Sequence, residues 1–167
     1  MDTATITDVN KEMKINIGIS EEHRRKIADG LSKLLADSYM LYLKTHNYHW
    51  NVTGELFHSL HEQFEEQYTE LAEAIDDIAE RIRALGYRAP GTFKEFSEIT
   101  SITEDTDEPK ALEMVRRLAE ANETILRTRR QALGPCNEAD DEASIDLITE
   151  RLKLHSKTAW MLRSHLE

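Results

Sequence analysis

The chain has 167 residues, of which 40% are apolar and 32% charged, and its formal net charge is −11 at pH 7. This length suffices for one domain with a full core. The acidic balance argues against a surface that is a nucleic-acid footprint as a whole. No apolar run approaches a membrane span, the amino terminus lacks signal-peptide features, and a single cysteine rules out an internal disulfide framework. We therefore expect a cytoplasmic protein with no membrane association.

The first predicted element follows an amino-terminal arm. Residues 1–19 are predicted to form this arm, and residues 20–167 a helical domain. Ser20 is a suitable N-cap residue, with acidic residues after it in the first turn. The helix is predicted to run to about Asn51. Its inner side is expected to carry Ile27, Leu31, Leu34, Leu35, Tyr42 and His49.

The second predicted helix runs from Phe57 to Leu85 and ends at Gly86. Its apolar residues recur at steps of three, four or seven, which is typical of a buried helical stripe. These residues are Leu60, Phe64, Leu71, Ile75, Ile78, Ile82 and Leu85.

A long middle connection, with a polar linker at residues 99–108, is predicted after the second helix. Residues 92–97 are predicted to form a short helix packed by Phe93 and Phe96. A third long helix is expected to be capped by Asp107, with Pro109 in its first turn. It is expected to stop at Gly134 and Pro135.

A fourth long helix is predicted from about Ala139 to His165. No period of two that would indicate strands occurs in the sequence. Four helices and a short extra helix in the middle connection predict an all-α four-helix bundle.

Polar residues on the second helix form a separate set beside its apolar stripe. His61 and Glu65 are one turn apart, and so are Asp76 and Glu80. Each pair has the spacing to hold a metal. Within one helix the two pairs are roughly 22 Å apart, at about 1.5 Å per residue, so they cannot bind the same ion.

A second copy of the helix removes this obstacle. In an antiparallel pair centred between Glu70 and Leu71, His61 faces Glu80 of the partner subunit and Glu65 faces Asp76 of the partner subunit. Two-fold contacts are self-complementary in this way. The alternative is that these carboxylates form a solvated helix face and that the histidine is a core residue. The crowding of like charges on this helix favours cation binding, because such charges destabilise it.

The chain also contains H-W-N-V-x-G, F-x-x-L-H-x-x-F-E-x-x-Y and D-D-I-A-E-R-I. With these motifs it resembles the Dps family of ferritin-like mini-ferritins, the DNA-binding proteins from starved cells, over nearly its whole length. The resemblance implies a ferritin-like bundle that assembles into a hollow homododecamer. It also implies oxidation of Fe(II), preferably with hydrogen peroxide, and storage of ferric oxyhydroxide in the cavity.

The resemblance further implies which residues act. Diiron ferroxidase centres with two irons each lie at the two-fold interfaces, and no organic cofactor is needed. The ligands carried over are His49, His61 and Glu65 from one subunit, and Asp76 and Glu80 from its two-fold partner. Position 65 is often Asp in the family and is Glu here.

Two further groups of residues have open interpretations. Trp50 and His46 are expected beside the centre, where Trp50 quenches oxidants or orients the site. The alternative is that both are packing residues. Asp141, Glu142 and Asp146 are expected to line a negative iron-entry pore, or else to cap the last helix and complement its dipole.

DNA binding is the weakest part of the resemblance. The arm has two lysines against three acidic residues, and the chain ends without a basic tail. Phosphate contacts supply most non-specific affinity, so we expect weak DNA binding. The alternative functions are a nucleoid-binding structural protein and a plain helical interaction module.

Overall fold

The structure is a computed structural model that describes residues 14–167. Within that range the helices are α1 (Glu21–Asn51), α2 (Phe57–Ala84), α3 (Phe93–Ile99), α4 (Ala111–Thr128), α5 (Arg130–Glu138) and α6 (Glu142–Arg163). α1 packs mainly on α2, and α4 mainly on α6. The predicted all-α bundle with a short helix in its middle connection is confirmed. Most of the predicted arm lies outside the described residues.

The first two helices begin and end where the sequence predicts. The Ser20 hydroxyl accepts a hydrogen bond from the His23 amide at 3.2 Å and so caps α1. α2 is followed by Gly86, whose φ of +95° lies in the left-handed region that favours glycine. The apolar stripe of α2 lies in the core, with Ile75 only partly buried.

The short helix α3 has a capping box formed by Thr92 and Glu95. Phe96 is buried and its ring stacks on Tyr39, with 4.8 Å between centroids. Phe93 is 67% exposed, and it packs only through an edge contact with the Tyr39 ring, at 6.2 Å between centroids. In a helix of seven residues only one face can reach the core.

The third long helix differs from its prediction at both ends. α4 begins after Lys110, without a side-chain cap, so the helix starts later than predicted; both carboxylate oxygens of Asp107 instead accept hydrogen bonds from Arg117. At its other end the chain bends at Arg129 and continues as α5. Pro135 lies inside α5 and does not end it. The missing N–H of a proline removes one helical hydrogen bond, which this short helix tolerates.

A buried carboxylate anchors the middle connection to the bundle. Asp37 of α1 is fully buried and accepts hydrogen bonds from the Thr100 hydroxyl at 2.8 Å and the Ser101 amide at 2.6 Å. The Thr128 hydroxyl at the end of α4 also donates to it, at 3.0 Å. These bonds hold the crossing connection and α4 against the same point of α1.

Gly30 sets the distance between α1 and α5. A Cβ atom at Gly30 would lie 2.5 Å from the Cα atom of Ala132. We therefore expect Gly30→Ala to lower the free energy of unfolding by about 1–3 kcal/mol through overpacking, although alanine favours helices. Gly134→Ala in α5 is the matched control, because a Cβ atom there meets no neighbour within 4 Å among the described residues. Chemical denaturation of both variants checks this; equal stability of the two would contradict it.

Candidate metal centre

Two histidines meet where α1 turns back into α2. His49 lies in the last turn of α1 and His61 near the start of α2, and their rings stack at 3.8 Å between centroids and 18° between planes. The intervening loop turns at Gly54, whose φ is +98°. His49 is buried and His61 is partly buried.

Reciprocal hydrogen bonds fix the tautomer of both rings. Nδ1 of His49 lies 2.8 Å from the carbonyl oxygen of His61, and Nδ1 of His61 lies 2.8 Å from the carbonyl oxygen of His49. A carbonyl oxygen only accepts, so each Nδ1 donates. In the neutral imidazole Nε2 then has the lone pair, which is the form that binds a metal. The local fold thus orients two nitrogen donors before any ion is bound.

The predicted carboxylates lie on the solvent side of α2. Glu65, Asp76 and Glu80 are exposed, and Asp76 and Glu80 make no salt bridge with any residue in the range 14–167. Within that range no group of three or more His, Cys, Asp or Glu side chains of one chain is placed to hold a metal. The structure therefore brings His49 and His61 together, and it leaves Asp76 and Glu80 apart from them in the same chain.

Aromatic rings surround the paired histidines. The ring centroid of His46 lies 3.9 Å from that of Trp50, 4.2 Å from that of Tyr68 and 6.1 Å from that of His49. Burial, and to a smaller extent the neighbouring His49, lowers the pKa of His46. Trp50 is 60% exposed, so in the single chain it is not a buried anchor.

Tyr68 is a neighbour of the site that the sequence analysis missed. Its ring centroid lies 5.2 Å from that of His49. Burial raises the pKa of Tyr68, and the negative charge of Glu65 raises it further. Its position seven residues after His61, on the same face of α2, was the available signal.

The acidic cluster before α6 divides into buried and exposed members. Asp141 is 3% exposed, pairs with Arg81 at 2.6 Å and caps α6 by accepting from the Ser144 amide. Burial raises the pKa of Asp141, but hydrogen bonds from Arg81 and Ser144 outweigh this and lower it overall. Asp141 thus acts as a helix cap, whereas Glu142 and Asp146 are exposed.

An open groove connects this region with the end of α2. Asp146 and Glu150 of α6 line it together with Asp77 and Glu80 of α2, and its volume is about 420 Å³. Four carboxylates and Arg81 therefore line one shallow surface groove that includes a predicted metal ligand.

The only cysteine in the sequence has no place in this chemistry. Cys136 is buried and its thiol donates to the Ala132 carbonyl. Burial raises its pKa to about 11, so the thiolate is scarce at neutral pH.

Comparisons with known proteins find a matching family model and similar sequences. A ferritin-like domain family model matches residues 28–167. The chain is 40% identical over 142 residues to DNA protection during starvation protein 2 of Bacillus anthracis, covering 85% of this chain and 97% of that protein. It is also 40% identical over 156 residues to a low temperature-induced protein of Nostoc sp., covering 92% of this chain and 87% of that protein.

Solved structures agree with these matches. The Dps protein of Vibrio cholerae O1, a member of a broad superfamily of ferritin-like diiron-carboxylate proteins, superposes with a TM-score of 0.87 at 33% identity. The superposition covers 93% of this chain and 98% of that one. Within residues 14–167 no helix has the length and apolarity needed to cross a bilayer. The fold, the family model and the sequence identity agree, and the chain belongs to the Dps family of ferritin-like proteins.

Proposed function

We propose that this protein oxidises Fe(II) with hydrogen peroxide or oxygen and stores the product as ferric oxyhydroxide inside a hollow homododecamer, thereby protecting DNA from oxidative damage. The observation that carries the proposal is the reciprocal pairing of His49 and His61, which orients two Nε2 atoms as metal donors where α1 turns back into α2. The relatives' names, which refer to DNA protection and to diiron-carboxylate proteins, support the same function.

The proposed centre lies between two subunits. His49, His61 and Glu65 bind iron together with Asp76 of the partner subunit and Glu80 of the partner subunit. The exposure and lack of salt bridges of Asp76 and Glu80 in the described chain support this arrangement, because these side chains are free to face a neighbour. Mixed imidazole and carboxylate ligands suit Fe(II), and carboxylates suit the harder Fe(III) product.

The residues contribute distinct functions. The two imidazoles supply neutral donors whose orientation is already fixed, and the carboxylates compensate the charge of two irons. Two Fe(II) ions release the two electrons that, with two protons, reduce one hydrogen peroxide to two water molecules. The ring of Trp50 packs against that of His46, and we assign to Trp50 the quenching of stray oxidants.

Iron entry follows the acidic groove. We assign the entry to Glu142 and Asp146, and the passage onward to the carboxylates that line the groove with Glu80. Carboxylate-lined openings concentrate cations. Asp141, which the sequence pattern includes in this group, is occupied by Arg81 and is left out of the proposal.

The test is anaerobic loading with Fe(II), followed by a pulse of hydrogen peroxide. Ferric absorbance and peroxide loss are recorded. We expect His61→Ala to slow oxidation at least about tenfold, because loss even of groups that support metal ligands costs that much. His58→Ala is the matched control, since His58 is an exposed histidine one turn away on α2 and should retain the rate. Equal rates in the two variants would reject the assignment.

Binding to DNA is the alternative function, and two relatives are named for DNA protection during starvation. The net charge of −11 opposes it. We expect weak retardation of plasmid DNA at neutral pH and ordinary salt, and none as salt rises. Tight binding that survives added salt would instead support a nucleoid-binding structural protein; a gel-shift titration with salt decides this.

A further inference from the structure

Four aromatic side chains form a row of ring contacts that includes both histidines of the proposed centre. The ring of Phe57 stacks on that of His61, with 5.1 Å between centroids and 28° between planes. His61 stacks in turn on His49, and the ring of Tyr68 packs nearly perpendicular to that of His49, with 5.2 Å between centroids. Phe57 and Tyr68 therefore lie at the two ends of the row, each against one histidine.

The hydrogen bonds of the two histidines leave one degree of freedom open. Each Nδ1–H donates to a carbonyl oxygen of the other residue, which fixes the tautomer. The last torsion of a histidine side chain has a broad energy profile, and a carbonyl oxygen accepts over a broad range of directions. An imidazole can therefore tilt about this hydrogen bond and move its Nε2 atom, unless other side chains pack against the ring.

Phe57 packs against His61 from a position that the bundle core does not use. It is the first residue of α2 and is 44% exposed, whereas Leu60 and Phe64 of the same helix are fully buried. Its contact with His61 is one turn along the helix, a spacing at which side chains meet. Replacing Phe57 by leucine keeps an apolar side chain, removes the flat ring and leaves the core unchanged.

Tyr68 links α2 to the last turns of α1. Besides its contact with His49, its ring stacks on that of His46, with 4.2 Å between centroids and 26° between planes. The ring of Tyr42, also on α1, packs nearly perpendicular to it, with 6.0 Å between centroids. The ring of Tyr68 is thus held between side chains of α1, one of which is a proposed metal ligand.

We propose that Phe57 and Tyr68 are positioning residues of the proposed metal centre. Their rings hold the imidazoles of His61 and His49 in the orientation in which each Nε2 binds metal, and neither residue is itself a ligand. This inference rests on the function proposed above and adds to it two residues outside the ligand set. Residues that orient metal ligands contribute substantially to metal affinity.

Anaerobic titration of the full-length, metal-free protein with Co(II), followed by visible absorbance, tests the proposal. Co(II) takes the same imidazole and carboxylate ligands as Fe(II), and its absorption band reports the geometry of those ligands. We expect Phe57→Leu and Tyr68→Leu each to weaken Co(II) binding by about tenfold and to change the band. A purely structural role of the two rings would leave the band unchanged.

The chain offers a matched control for each variant. Phe93→Leu replaces an exposed phenylalanine of α3, and Tyr87→Leu replaces a tyrosine whose hydroxyl donates to the Glu21 carbonyl. Both should bind Co(II) as the wild type does. Tyr68→Phe keeps the ring and should also retain the wild-type affinity and band.

The outcomes separate this inference from the proposed function. If His61→Ala loses Co(II) binding while both leucine variants bind as the wild type does, the positioning role is overturned and the metal centre stands. If His61→Ala itself binds as the wild type does, the metal centre is rejected, and the inference with it. A loss in Tyr68→Phe as large as that in Tyr68→Leu would assign the effect to the hydroxyl group and overturn the role of the ring.

Crystals of the metal-free variants give a measurement that involves no metal. In Phe57→Leu the imidazole of His61 should tilt or occupy a second orientation, and in Tyr68→Leu that of His49 should do so. Unchanged imidazole planes in both variants would overturn the proposal. Because Phe57 is outside the core, Phe57→Leu keeps the test decisive even if Tyr68→Leu does not fold.

Discussion

Mixed assemblies of two inactive variants are expected to recover about one quarter of the wild-type oxidation sites. In a two-fold pair of His61→Ala and Asp76→Ala subunits, one centre loses both residues and the other keeps both. Random 1:1 mixing makes about half of the interfaces mixed. Since each mixed interface has one intact centre, about one quarter of all centres can oxidise Fe(II). Each variant alone should have none.

Co-expression of the two variants, followed by a hydrogen peroxide pulse on the iron-loaded assembly, measures this recovery. A double variant, His61→Ala/Asp76→Ala, mixed with wild type is the matched control. Its mixed interfaces contain no intact centre. In this mixture, Fe(II) oxidation should therefore come only from interfaces between two wild-type subunits. If the two single variants show no recovery on mixing, the centre is not shared between subunits as proposed.

Acid is expected to destabilise the fold through His155. Burial, and then the positive charge of Arg151, lowers the pKa of His155 from 6.5 to about 3. Below pH 6.5 the unfolded chain binds a proton at this residue, and the folded chain does not until about pH 3. The stability that is present above pH 6.5 is therefore lost as pH falls towards 3. The loss reaches about 5 kcal/mol over this range, of which about 3 kcal/mol is lost by pH 4.5.

Thermal unfolding of the wild type and of His155→Gln at pH 7 and pH 4.5 checks this expectation. Glutamine is neutral at both values, so the variant has no proton to bind at this position. Between pH 7 and pH 4.5, the wild type should lose more stability than His155→Gln does. His58→Gln, which leaves every buried group in place, should follow the wild type. Parallel losses in the wild type and His155→Gln would show that His155 is not the residue responsible.

The sequence predicts the first two helices closely because their signals are local. An N-cap serine, an apolar period and a terminal glycine act within one or two turns, and α1 and α2 accordingly begin and end as expected. The spacing of His61, Glu65, Asp76 and Glu80 is likewise a property of one helix. It is sufficient to suggest sites shared across a two-fold axis, which remain a proposal.

The predictions that the structure alters depend on contacts between distant residues. Asp107 does not cap α4, because the helix begins only after Lys110 and the Asp107 carboxylate accepts from Arg117 instead. The bundle core reaches Phe96 but leaves Phe93 exposed. Asp141 was predicted either to line a pore or to cap the last helix; Arg81, sixty residues earlier, pairs with its carboxylate, while its role in iron entry stays a prediction. No local pattern indicates such partners.

By itself the sequence determined the class of fold and the family, because these follow from helical period, capping and motif, and it suggested a set of metal ligands that stays a proposal. Only the tertiary structure decided how the side chains are oriented, hydrogen-bonded and buried. It brought His49 and His61 into reciprocal contact, which sets both tautomers, and it buried His155 beside Arg151. The physical reason is that hydrogen-bond direction and burial depend on which helices pack together, whereas spacing along one helix does not.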